Sequence, residues 1–456
     1  LQYEDYRHRR AQVAAEEMAG FLESHRDWAF ASALERAWLR SLGDRGRWND
    51  VLRYGSASED VTVRCHVARA RLKAGDTKGL LPEARQLWAA GRSQPDACDP
   101  VFAWLRDQGG ITDGLAWERV KLAMQGRERN LARYASRFLD EDQRDWGERW
   151  SQQDRGGYRR LHGAAQWPVH PRAFDIVDFG LRRLSRTDPD RAWEIFGQLD
   201  GRLYGDETAR GGLMAELALW SAVNRSPATP ERMAAVPPEF RDDRLLEWKT
   251  RFELTRADWQ GVSESIAEMS EELRDDSRWR YWMARAMLES DRAAEGNRRM
   301  TELASRATFY GFLAADSLDL PYTICPEEPR VEEAAVTAFR RQENVSRALE
   351  LRQVGLTTWA RSEWARSVAG GDEETLRAAA AVANAEGWPD AAIAALGNSG
   401  DMRWYEWRFP LDYVEIVLER SGQADLDASW VRGLIRSESA LAADAISHAG
   451  ARGLMQ

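Results

Sequence analysis

The strongest constraint on the fold is a repeated pattern of helix-length amphipathic segments separated by tight polar turns, from about residue 28 to residue 305. In one repeat, a segment from Leu34 to Leu42 is followed by the turn Gly43-Asp44-Arg45-Gly46 and by a second segment from Trp48 to Tyr54. Runs of alternating β-branched residues, which would indicate strands, are nearly absent. The pattern therefore predicts an all-α chain of tandem helical hairpins, spaced at roughly 30–40 residues without a strict consensus.

Composition limits the classes of function. The 456 residues allow about two to four domains, each with its own core. Hydrophobic residues make up 43% of the chain and charged residues 30%, and no apolar run approaches the ~18 residues of a membrane-spanning helix. The net charge of -10 argues against binding to nucleic-acid phosphates.

Prolines indicate where the array ends. Pro321, Pro326 and Pro329 lie in a stretch that reads as a connector. We therefore predict a superhelical repeat domain over residues 1–320, a connector over 321–335, a helical linker domain over 336–410 and the beginning of a third domain over 411–456. This last segment is too short to fold alone.

The candidate catalytic residue is Glu438. Val431, Leu434, Ile435 and Glu438 are spaced at i, i+3, i+4 and i+7, which predicts a helix with Glu438 on its apolar stripe. The helix can begin after an N-cap at Ser429 or at Asp427. A carboxyl in apolar surroundings is expected to have a raised pKa and to act as a general acid.

The alternative for Glu438 is a surface carboxylate paired with Arg432 or Arg436. After the predicted helix comes a glycine-rich loop from Ser447 to Gln456 that enters a second helix. Its uncharged hydrogen-bonding groups, Ser447 and Gln456, could orient the carboxyl and a sugar.

These residues carry a resemblance to a known family. The pair Glu438-Ser439, the spacer with Ser447 and the run Gly453-Leu454-Met455-Gln456 resemble the first two catalytic motifs of the soluble lytic transglycosylases, which have a goose-type lysozyme fold. Three upstream stretches are similar to the same family: Phe309-Tyr310-Gly311, Ala360-Arg361-Ser362-Glu363-Trp364-Ala365 and Arg408-Phe409-Pro410-Leu411.

The resemblance implies an enzyme that needs no cofactor and acts on peptidoglycan glycan strands. Glu438 would protonate the glycosidic oxygen between N-acetylmuramic acid and N-acetylglucosamine, and then, as a carboxylate, take a proton from the C6 hydroxyl, leaving a 1,6-anhydromuramyl end. The sugar's N-acetyl group would stabilise the cationic carbon, so a single carboxyl suffices. Ser447 and Gln456 would contact the saccharide, and Met455 would form an apolar wall.

Cysteines and histidines bear on metal and redox chemistry. Three cysteines without a CxxC pair, and six histidines without HxxxH or HExxH spacing, give little support for a metal site. Each cysteine could be a small buried side chain. The resemblance implies instead a Cys65–Cys98 disulfide and export to an oxidising periplasm.

The sequence stops at Gln456, before the family's third motif. No secretion signal precedes Leu1, as expected of a mature exported protein. The resemblance therefore implies an incomplete catalytic domain, and the expected activity, as a monomer, is that of the intact protein. The alternative is a noncatalytic helical-repeat scaffold that binds other cell-wall enzymes or glycan.

We expect the array to curve into a superhelix, because each hairpin buries its apolar face only by stacking on its neighbours. The resemblance further implies closure into a ring with the linker domain. Small-angle scattering of the 51.9-kDa chain should then show an open-centred particle wider than a sphere of equal mass. A compact globular profile or a straight rod would contradict the ring.

Overall fold

The computed structural model describes residues 2–199 and 201–456, and its regular structure is helical. Within these residues there is no β-strand, and the single isolated bridge pairs Ile446 with Arg452. No helix in these two ranges combines the length and apolar character needed to cross a membrane. The predicted all-α class is confirmed.

Most of the α-helices follow one another with short connections, and the connections over residues 156–170 and 318–332 are longer. In chain order they are α1 Gln2–Arg9, α2 Ala15–Ser24, α3 Ala31–Asp44, α4 Trp48–Tyr54, α5 Val61–Lys73, α6 Leu80–Trp88, α7 Asp99–Asp107, α8 Asp113–Gln125, α9 Arg129–Ser136, α10 Arg144–Arg155, α11 Pro171–Ser185, α12 Pro189–Gln198, α13 Glu207–Val223, α14 Thr229–Ala235, α15 Asp243–Thr255, α16 Trp259–Glu268, α17 Glu271–Asp275, α18 Ser277–Leu288, α19 Ala293–Ala304, α20 Phe309–Ser317, α21 Glu333–Arg340, α22 Glu343–Gln353, α23 Thr357–Val368, α24 Glu373–Ala385, α25 Pro389–Ser399, α26 Tyr405–Arg408, α27 Val414–Gln423 and α28 Ala428–Ser439.

The chain divides into two compact units. One unit comprises Arg36–Tyr322, and the other combines the N-terminal segment that ends at Glu35 with Thr323–Gln456. We call them the array unit and the terminal unit. The domain boundaries predicted from sequence stay a prediction.

In the array unit, consecutive helices pack as hairpins, for example α4 on α5, α8 on α9, α15 on α16 and α18 on α19. Large side chains such as Trp88, Trp150 and Trp279 are almost fully buried between them. Aspartate N-caps fix several helix starts: Asp242 accepts a hydrogen bond from the Leu245 amide at 2.8 Å. Burial on one face, together with these caps, explains why short segments form stable helices.

The terminal unit has its own core, in which α22 packs on α23 and α24 packs on α25. A buried carboxylate joins its two chain segments. Glu363 on α23 is 2% exposed, and it accepts hydrogen bonds from the Ala29 amide at 2.7 Å and from Arg347 at 3.1 Å. The N-terminal segment is therefore held against α22 and α23 by a satisfied buried charge.

Cys65 on α5 and Cys98 before α7 form a disulfide, as the resemblance implied. Both side chains are fully buried, whereas Cys325 is a free, exposed cysteine.

We expect the Cys65→Ala/Cys98→Ala variant to lose about 3–4 kcal/mol of unfolding free energy, because the bridge closes a long loop in the unfolded chain. Urea unfolding measures this, with Cys325→Ala as the control that should change little. Thiol labelling of the denatured, nonreduced chain should modify Cys325 alone. Labelling of three cysteines would contradict the bridge.

His66 is a buried titratable group beside this disulfide. Its side chain is 2% exposed, and a Cβ on Gly43 of α3 would lie 2.1 Å from the ring, so only glycine permits this close packing. Burial lowers the pKa of His66 below its usual 6.5, although Asp44, whose Oδ1 lies 3.2 Å from Nε2, opposes the shift.

The lowered pKa predicts that acid destabilises the array unit. Below pH 6.5 the unfolded chain binds a proton at His66 more readily than the folded chain does, so the unfolding free energy should fall as the pH drops from 7.5 to 5. His66→Gln should flatten this dependence, whereas His448→Gln, on an exposed loop, should retain it. Identical pH profiles for wild type and His66→Gln would refute the assignment.

Candidate active site

The helix that carries Glu438 is α28. Its N-cap is Asp427, whose carboxylate accepts hydrogen bonds from the amides of Ser429 at 2.6 Å and Trp430 at 3.3 Å. Of the two predicted starts, the structure therefore adopts the one at Asp427. The helix ends at Ser439, after which Ala440 and Leu441 adopt left-handed backbone conformations with φ of 51° and 70°.

The prediction that Glu438 lies on the buried stripe is wrong. The side of α28 that faces the core carries Ala428, Val431, Ile435 and Ser439, and Glu438 is exposed. The buried stripe is therefore displaced from the one that the apolar residues predicted. Glu438 lies beside it, near the C-terminal end of the helix.

The two arginines considered as partners of Glu438 bind elsewhere. Arg432 donates to the backbone carbonyls of Asp412 and Pro410, at 3.1 and 2.5 Å, and Arg436 donates to that of Arg408 at 3.0 Å. Burial lowers the pKa of Arg436, and the neighbouring Arg408 lowers it further. These bonds fix α28 against the segment over residues 408–412.

Ser447 lies in a tight loop. Its amide donates to the Ala451 carbonyl at 2.9 Å, and its Oγ accepts from the Ala451 amide at 3.1 Å. Gly450 has a φ of 85°, which glycine permits without strain, and the Gly453 amide closes the loop on Ala445 at 3.0 Å. The Ser447 hydroxyl can still donate its own proton to a ligand.

Gln456 is brought to Glu438. Its Nε2 donates to the backbone carbonyl of Glu438 at 2.9 Å, and its Oε1 is buried with no hydrogen-bond partner in the part of the chain that the structure describes. Met455 is 54% exposed. The structure thus joins Gln456 to Glu438, leaves Met455 at the surface and shows only local bonds for Ser447.

Sequence reasoning missed the contacts of Asp444, which lies in the loop between α28 and Ser447. Its Oδ1 accepts a hydrogen bond from Nη2 of Arg361 at 2.6 Å. Burial alone would raise the pKa of Asp444, but the hydrogen bond from Arg361 lowers it below its usual value. No local pattern could reveal this pair, because 83 residues separate its members.

The terminal unit also contains a cavity of about 570 Å³. Arg347 lies over the Trp28 ring, 4.6 Å from its centroid, at the wall of this cavity. Aromatic rings form much of the remaining lining: Tyr3, Phe21, Phe30 and Trp359.

Across residues 2–199 and 201–456, His, Cys, Asp and Glu side chains form no group of three that could hold an ion.

Residues 338–402 match the family described as the soluble lytic murein transglycosylase L domain. Over its full length the chain has the all-helical fold of solved soluble lytic transglycosylases. The 70-kDa enzyme from Escherichia coli aligns with a TM-score of 0.85 at 22% identity, with 100% of this chain and 74% of that chain covered.

The particular relatives confirm the resemblance seen in the sequence. The chain is 24% identical to the soluble lytic murein transglycosylase of Salmonella typhimurium, over 93% of this chain and 66% of the relative. It is 28% identical to an inactive Glu-to-Gln mutant of the lytic transglycosylase Slt from Pseudomonas aeruginosa, which aligns with a TM-score of 0.81 and covers 100% of this chain and 74% of that one. The chain spans just under two thirds of the length of its curated relative.

Proposed function

We propose that this chain provides the helical array, the linker domain and the first part of the active site of a periplasmic lytic transglycosylase that cleaves peptidoglycan. The observation that carries the proposal is the placement of Glu438 at the end of α28 with the Gln456 amide bound to its backbone carbonyl. The similarity to soluble lytic murein transglycosylases over 93% of the chain supports it. The proposed domains are those predicted from sequence: residues 1–320, 321–335, 336–410 and 411–456.

In the proposed mechanism, Glu438 is both the acid and the base. Its carboxyl protonates the glycosidic oxygen between N-acetylmuramic acid and N-acetylglucosamine, while the muramyl N-acetyl oxygen stabilises the cationic carbon. The carboxylate then removes the proton from the C6 hydroxyl, which bonds to C1 and closes a 1,6-anhydro ring. One proton leaves the carboxyl and one returns, so the enzyme ends in its starting state.

Because Glu438 is exposed, the proposed mechanism requires the bound substrate to change the surroundings of its carboxyl. A glycan strand bound over the exposed Glu438 would displace water from its carboxyl and so favour the protonated form in the complex. Ser447 is proposed to donate a hydrogen bond to the saccharide, Gln456 to accept one through its Oε1, and Met455 to pack against it. The exposed Met455 side chain is available for this role.

The periplasmic location is proposed from the disulfide. Buried cystines persist in oxidising compartments and are rare where thiols are kept reduced. Cys65 and Cys98 are joined in a fully buried pair, which fits an exported protein.

The second candidate function is a noncatalytic scaffold that binds glycan or another cell-wall enzyme. The cavity of about 570 Å³ beside Trp28 and Trp359 favours it, because concave, largely apolar pockets of this size commonly hold ligands. Cleavage of peptidoglycan by the wild-type protein would rule out a purely structural role.

We expect Glu438→Gln, in the complete reading frame that contains this chain, to reduce cleavage by about 10²–10⁴-fold or more, because the amide keeps the shape and cannot carry the proton. Zymography on peptidoglycan and mass spectrometry of released anhydromuropeptides measure the effect. The control is Glu415→Gln, an exposed residue on α27. Substantial turnover in Glu438→Gln would remove Glu438 from the mechanism.

A further inference from the structure

We propose that Arg361 is a positioning residue: its guanidinium holds the loop over residues 440–453 against α25 and thereby sets Ser447 relative to Glu438. The role in catalysis rests on the proposed function, whereas the role in ordering the loop does not.

The contact is a bridge between two carboxylates. From α23, Arg361 donates through Nη2 to Oδ1 of Asp444 in the loop and through Nη1 to Oδ2 of Asp390 at the beginning of α25. Burial alone would lower the pKa of Arg361, but these two hydrogen bonds raise it above its usual value. The planar fork of arginine suits such a double contact, and the compact ammonium of lysine does not.

Helix α25 makes a second contact, through Ile393, on the same face that carries Asp390. Asp390 and Ile393 are three residues apart, so their side chains point to one side of the helix. Ile393 is buried in a cluster with Val417, Ile435 and Leu441. One face of α25 thus contacts α28 through Ile435 and the beginning of the loop through Leu441. The Asp390 side chain on the same face binds Arg361, which in turn binds Asp444 of the loop.

The rest of the loop is braced from within. Backbone hydrogen bonds join Ser447 to Ala451 and Gly453 to Ala445, so the segment from 445 to 453 forms a small closed unit. Asp444 immediately precedes that unit. If Asp444 is released, the nearest buried residues on the N-terminal side are Leu441 and Ala442, and the closed unit can pivot about residues 443 and 444.

The contact between Arg361 and Asp444 should affect the position of the loop more than the unfolding free energy of the chain. The side chains of Arg361 and Asp444 are 38% and 42% exposed, so solvent screens their attraction. The consequence of breaking it should therefore be confined to the loop. Segment-resolved hydrogen exchange distinguishes such a local effect from a general loss of stability.

The experiment compares amide exchange in this 456-residue chain and its variants. We expect Arg361→Met to accelerate exchange of the Ser447 and Gly453 amides about three- to tenfold, with an almost unchanged urea midpoint. Asp444→Asn should have the same effect, the double variant should add nothing further, and Asp444→Glu should restore most of the protection because it keeps the charge.

The matched control is Arg377→Met. Arg377 makes two hydrogen bonds of 2.9 Å with Asp401 in the terminal unit, at a site without a role in this proposal. Wild-type exchange at Ser447 and Gly453 in Arg361→Met, or equal acceleration in Arg377→Met, would overturn the proposal.

The catalytic consequence is measured separately in the complete reading frame. There, Arg361→Met should lower kcat several-fold with little change in KM, and Asp444→Glu should retain activity. An unchanged kcat in Arg361→Met would show that Arg361 has no effect on catalysis. Absence of cleavage in the wild type would refute the proposed function, but it would not affect the hydrogen-exchange test of loop ordering.

Discussion

Burial of one face of each helix against its neighbour is the interaction on which this structure depends. The helices are short, from 4 to 17 residues, and isolated helices of that length are marginal in water. They persist because Trp88, Trp150 and Trp279 bury large apolar surfaces between adjacent helices in the array unit. In such a stack each helical hairpin depends mainly on its neighbours along the chain.

Burial of one face of each helix also explains which features could be predicted from the sequence. Amphipathic segments and polar turns mark where helices begin and end, so the all-α class and the two helices α3 and α4 on either side of one polar turn could be predicted. The position of Glu438 could not. Val431 and Ile435 lie on the buried stripe of α28, as predicted. The stripe continues through Ala428 and Ser439, which are small and weakly apolar, so a search for large apolar residues extended it wrongly to Leu434 and Glu438.

Long-range polar contacts were invisible for a different reason. Glu363 meets the Ala29 amide across 334 residues, and Arg361 meets Asp444 across 83. Neither pair has a local spacing that periodicity could detect. Both Arg361 and Glu363 nevertheless lie within the stretch over residues 360–365 that resembled the transglycosylases, and this stretch falls inside the matched L domain. In this structure, that domain contributes contacts to both ends of the terminal unit.

In the proposed mechanism, the exposure of Glu438 means that the cost of desolvating its carboxyl arises in the complex and not in the free protein. If the carboxyl were buried in the free state, the protein would bear the cost of desolvating it in every molecule. With Glu438 at the surface, the proposed mechanism places that cost at the moment of binding, where contacts with the glycan would have to offset it. Gln456 fits this arrangement: its Nε2 is committed to the Glu438 backbone, and its buried Oε1 has no partner among the described residues. In the proposed complex, a sugar hydroxyl or amide that donates to this oxygen would satisfy a buried acceptor on the residue that is bonded to the Glu438 backbone, so substrate binding and exclusion of water near the acid would occur together.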